Sequence, residues 1–122
     1  MATPKPARLV QQLLEKSNEG KIKWEKTATD GVFQAAFPGY SIRLSTEPSA
    51  FSSQEDYFVQ ISNDEGETVE IISDSNLTSM IGSDAWRMMK DLYQGARRSA
   101  MGVDAALDSI LAELEEGEDT PF

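Results

Sequence analysis

Twenty-one carboxylates, and no imidazole or thiol, set the chemical limits of this 122-residue chain. The lack of His removes the commonest general base and the commonest metal ligand. The lack of Cys removes disulfides and thiolate zinc sites. Ser-His-Asp and Cys-His catalysis are therefore closed to it. Carboxylate pairs remain, but acid–base work needs two held at a defined separation in a cleft. The clusters here are Asp64, Glu65 and Glu67, then Glu113, Glu115 and Glu116. Both fall in stretches that belong in solvent. Asn63-Asp64-Glu65-Gly66-Glu67 has the composition of a calcium loop, but it lacks the alternating ligands and the distal Glu of one. A hairpin turn is the expectation there. No phosphate loop is present, because the glycines stand singly, mostly at turns and helix ends. We expect no enzyme activity, no catalytic residues, no metal and no cofactor.

The cations are more concentrated. Arg87, Lys90, Arg97 and Arg98 fall on the polar side of one helical stretch, residues 84–101. That stretch has four basic and two acidic side chains, a net of +2, within a chain at −10. These four residues form a candidate site for a phosphate, a nucleotide or an acidic segment. The plainer alternative is a solvated helix face, partly neutralised by the acidic end of the chain.

The element that carries them organises the rest. Ala85, Met88, Met89, Leu92, Tyr93, Ala96 and Ala100 recur at i, i+3, i+4 spacing, with Trp86 at the edge of the stripe. Such a face needs a large apolar surface to cover it, and the β-rich middle of the chain supplies one. Met88, Leu92 and Ala96 are expected to meet Phe33, Ile42 and Val59. Ser83 is placed as the cap of this helix, and Gly102 as its left-handed stop.

Before it, a first helix begins near Pro4 or Pro6, shows Leu9, Val10, Leu13 and Leu14, and stops at Gly20. Five strands follow over residues 21–26, 31–37, 40–46, 56–62 and 67–73, separated by Asp30-Gly31, Pro38-Gly39, a Ser-rich loop with Phe51, and the 63–66 turn. Alternation puts Phe33, Ala35, Phe37, Tyr40, Ile42, Leu44, Tyr57, Val59 and Ile61 on the core face, joined by Val69 and Ile71. The opposite face is mixed and polar, with Phe58 and Ile72 as its apolar members. Asp74-Ser75-Asn76 is read as a capping cluster for a short helix ending at Gly82. Asp104 is read as the cap of a last helix, with a stripe of Leu107, Ile110, Leu111 and Leu114.

The fold class is therefore α+β. An N-terminal helix precedes a five-stranded, mainly antiparallel meander, and C-terminal helices pack on one face. Residues 1–115 form a single domain, and residues 116–122 a flexible acidic tail. The order of the last two strands is the open point, since the long loop before the fourth allows a crossover. No apolar run reaches the ~18–20 residues that a membrane helix needs, and the first residues lack the apolar core of a signal peptide. A cytoplasmic protein without membrane contact is the expectation. The charge of −10 argues against direct wrapping of nucleic acid. DNA mimicry by carboxylates is set aside because Lys and Arg occur throughout.

The chain closes Glu115-Glu116-Gly117-Glu118-Asp119-Thr120-Pro121-Phe122. These residues resemble the C-terminal tip of bacterial single-stranded-DNA-binding proteins, an acidic run ending in Pro-Phe with a free carboxylate. In that family the tip recruits replication, recombination and repair proteins. The resemblance implies a partner-binding role for Glu118, Asp119, Pro121 and Phe122. It covers the tip alone: Thr120 stands where the family has an apolar residue, Gly117 interrupts the acids, and no long linker precedes them. The stacking aromatics and basic groove of that family's DNA-binding domain are missing. The reading that follows is a small non-enzymatic interaction protein, bacterial or phage in style, that binds another macromolecule. The alternative is an anion or nucleotide binder using Arg87, Lys90, Arg97 and Arg98. Oligomeric state is open.

Overall fold

Pro4 starts the first helix, because a proline at a helix N-terminus loses no needed hydrogen bond. In a computed structural model, which describes residues 3–49 and 54–116, α1 spans Lys5–Asn18. It buries Ala7, Val10 and Leu13, with Leu9 and Leu14 partly covered. A Schellman motif ends it. The Gly20 amide donates to the Ser17 carbonyl and the Lys21 amide to the Lys16 carbonyl, with Gly20 at φ 72°.

Five strands then pair antiparallel in sequence order: β1 Glu25–Lys26, β2 Phe33–Phe37, β3 Tyr40–Pro48, β4 Glu55–Asn63 and β5 Thr68–Ser73. The meander has no crossover, so the long loop joins neighbours. Three helices follow: α2 Asp74–Ile81, α3 Asp84–Ala100 and α4 Val103–Glu116. The α+β architecture is as the sequence implies.

The helices α1, α2 and α3 cover one face of the sheet, with α3 packed against α1, α2 and the strands. Leu92 and Ala96 are buried, as are Phe33, Ile42 and Val59. Met89 is the fully buried methionine of this face, whereas Met88 is only partly covered. Tyr93 fills the centre, its ring centroid 5.6 Å from Phe33 and 5.5 Å from Tyr57, and its hydroxyl donates to the Gly31 carbonyl.

Several local expectations need correction. The first strand is two residues long, because residues 21–24 follow α1 instead of the sheet. Trp24, 3% exposed, donates its indole N–H to Ser17 Oγ at 2.8 Å. β3 and β4 run further into the loop than expected, pairing Pro48 with Glu55. In β5 the faces are inverted. Ile72 is 3% exposed in the core, whereas Val69 and Ile71 are 57% and 50% exposed. The register pairs Val59 with Ile72, and an irregularity at Ile61/Ser62 shifts the strand. The N-cap of α2 is Ser73, one residue before the expected cluster, and of that cluster Asn76 alone caps, in a reciprocal box with Ser73. Asp74 instead points inward, its Oδ1 accepting from the Tyr57 amide at 2.9 Å. Ser83 precedes α3 without a side-chain cap bond, and Asp104 lies inside the first turn of α4. Phe51 and the tail residues Glu118, Asp119, Pro121 and Phe122 lie outside the described residues.

Candidate functional site

The four cations of α3 sit on its exposed face, but they do not converge. With a rise of ~1.5 Å per residue, Arg87 and Arg98 are about 16 Å apart along the helix. Lys90 lies over the Trp86 ring, its Nζ 5.2 Å from the centroid. That ring is itself fixed by an N–H bond to the Glu55 carbonyl at 2.8 Å. Arg98 Nη2 pairs with Asp104 Oδ1 at 3.0 Å and ties the end of α3 to the start of α4. Arg97 faces a cleft of about 200 Å³ shared with Lys26, Thr29, Asp30 and Gly31, so its wall carries a second cation and one carboxylate.

The two carboxylate clusters occupy exposed positions. Asp64, Glu65 and Glu67 lie in the β4–β5 hairpin, where Asn63 Oδ1 accepts from the Glu65 and Glu67 amides at 3.0 and 2.9 Å. Gly66 supplies the positive φ of 84° that this turn requires. Asn63 Nδ2 donates to Glu67 Oε1 at 3.1 Å, and this bond holds the Glu67 carboxyl below its ordinary value. Glu113, Glu115 and Glu116 are exposed at the end of α4.

Among the described residues, two apolar surfaces stand open beside the smaller patch of Val69, Ile71 and Met80, and the sequence assigns neither to function. The first is α4. Leu107, Ile110, Leu111 and Leu114 are 48%, 56%, 50% and 50% exposed, and no residue of this helix is buried. They lie at i, i+3, i+4, i+7, one continuous face. The helix also carries Asp104, Asp108, Glu113, Glu115 and Glu116 and no basic residue. Its stripe was legible, but its failure to join the helix layer was not. The tight turn Met101-Gly102, with Gly102 at φ 66°, and the Arg98–Asp104 pair direct it past the end of α3.

The second is a groove of about 450 Å³ where α1 meets the far end of the sheet. Leu9 and Leu13 form one wall, and Ile22, Phe37, Tyr40 and Ile61 the other. Phe37 and Tyr40 face each other across the Pro38-Gly39 turn and are 37% and 54% exposed. Alternation assigns both to the core face; only the extent of the helix layer decides that they remain open. Lys16 and Lys21 also line the groove, brought together by the Schellman motif of α1. Each reaches Glu19, at 3.6 and 3.4 Å.

No protein-family model matches this chain, and neither a curated protein nor a solved structure matches it.

Proposed function

We propose that this chain is a non-enzymatic, cytoplasmic protein-binding module, with α4 as its recognition element. The observation that carries the reading is the bare stripe of Leu107, Ile110, Leu111 and Leu114. Contiguous exposed apolar surface framed by charge marks interaction sites. A helix presenting i, i+3, i+4, i+7 anchors is the ligand half of a helix-in-groove contact. The partner is a protein whose groove has basic edges, since α4 is uniformly acidic. The acidic Pro-Phe tip extends the reading toward DNA maintenance: Phe122 and its carboxylate would anchor in a pocket with an Arg wall, while Glu118 and Asp119 add salt-sensitive attraction. The test is a titration of an exonuclease or helicase that binds the single-stranded-DNA-binding protein tip. The intact chain is compared with Leu107→Glu/Leu111→Glu and with a chain ending at residue 116. Loss with both changes is expected. Loss with the truncation alone removes α4 from recognition, and no binding by the intact chain removes the DNA-maintenance partner.

A second reading is an anion binder, and it is supported by Arg97 and Lys26 on the walls of one cleft. Calorimetry with a nucleotide panel reads it directly. Heat that disappears on charge reversal at Arg97 and Arg98 favours it, and a silent panel ends it.

A further inference from the structure

We infer that the groove between α1 and the β2–β3 hairpin receives α4 of a second copy of this chain. The inference rests on α4 as the recognition element and names its partner. Both halves of a helix-in-groove contact are present in one chain, and both are uncovered. The groove offers Leu9, Ile22, Phe37 and Tyr40, and its volume of about 450 Å³ is in the range that holds several apolar side chains. The helix offers Leu107, Ile110, Leu111 and Leu114.

Charge selects this pairing over the obvious rival. Two α4 helices packed on each other would bring ten carboxylates together, with only Arg98 of each copy, already paired to Asp104, to offset them. Like charges at close range oppose such a contact. The groove presents Lys16 and Lys21 at its edge, with Glu19 between them, a net of +1. Lys23, its side chain 88% exposed beside Glu25, stands in the adjoining cleft. An incoming α4 carboxylate can take Lys16 or Lys21 from the weak, exposed pairs they make with Glu19. Reciprocal exchange, α4 of each copy in the groove of the other, closes into a two-fold dimer that fills both α1 grooves with both stripes.

Analytical ultracentrifugation of the full chain, from micromolar to millimolar concentration and at low and high salt, tests this. A monomer–dimer equilibrium that weakens with salt is expected. Leu111→Glu on the helix and Tyr40→Glu in the groove both alter half-exposed side chains, and circular dichroism checks that each variant folds. Either change should weaken self-association more than about tenfold, the factor that one buried large apolar side chain carries. Two results overturn the inference: a wild type that stays monomeric, or a dimer that Leu111→Glu breaks and Tyr40→Glu does not. A monomeric wild type that still loses its nuclease or helicase partner on Leu111→Glu defeats the self-association alone and leaves α4 as the recognition element.

Discussion

Tyr93 shows how one side chain joins layers that are far apart in sequence. Its ring packs between Phe33 of β2 and Tyr57 of β4, and its hydroxyl donates to Gly31 in the turn before β2. Burial, and then the charge of Glu55, raises its pKa above the ordinary tyrosine value; the same causes, in the same order, raise Tyr57. A raised phenol pKa means that the folded chain keeps a proton the unfolded chain has released. The contribution to stability is complete below the unfolded value of about 10 and is lost as pH rises through the folded one. Urea midpoints should therefore fall as pH passes about 10. Tyr93→Phe should cost about 1 kcal/mol at neutral pH, the worth of one hydrogen bond, and should show a shallower alkaline fall. Parallel falls in wild type and variant would exclude Tyr93 as the source.

The elements show why some of the fold could be read in the sequence and some could not. α3 was legible because its stripe persists over four turns, and burial follows the period: Ala85, Met89, Leu92, Tyr93 and Ala96 are all inside. Leu92 is 1% exposed, so Leu92→Ala should cost about 2–5 kcal/mol in a denaturant titration. A loss under about half a kcal/mol, typical of surface changes, would contradict its place in the core. The inward face of β5 is not legible in the sequence because Ile71 and Ile72 are adjacent, so alternation alone cannot choose between them. Long-range chemistry chooses. The ladder stops where Phe58 meets Ser73, and the next amide of β4, that of Tyr57, is taken by the Asp74 carboxylate. This contact and the Ser73–Asn76 capping box fix the strand-to-helix junction, which brings Ile72 opposite Val59. The same limit applies to β1. Its sequence alternates as a strand, yet the Trp24–Ser17 bond holds residues 21–24 against α1. Arg97 and Lys26 share a cleft for a related reason: they are 71 positions apart, and only the docking of α3 across the sheet brings them together.

For the whole molecule, the division is between a covered core and an appended helix. Among the described residues, seventeen buried apolar side chains connect the sheet with α1, α2 and α3, and none of them belongs to α4. The amphipathic period predicts a stripe on α4 but says nothing about whether its own chain covers it. That depends on where the Met101-Gly102 turn points, which is a property of the assembled fold. Removing residues 103–122 should therefore leave the core nearly as stable as before. What is lost is the exposed Arg98–Asp104 pair, worth about 0–1 kcal/mol, and marginal contacts at the end of α3. Alone in water a helix of 14 residues is near the limit of stability, so α4 in an isolated copy should exchange its amide hydrogens orders of magnitude faster than α3. Contact with a partner changes this, because burying the stripe couples the helix to the stability of the complex. Hydrogen exchange followed by mass spectrometry, at concentrations below and above self-association, reads both states. Protection that rises together in residues 103–116 and in the Phe37–Tyr40 hairpin is the expected result. Protection of α4 that is already high in dilute monomer would mean that the helix is covered by its own chain, and would remove the motive for treating its stripe as a binding surface.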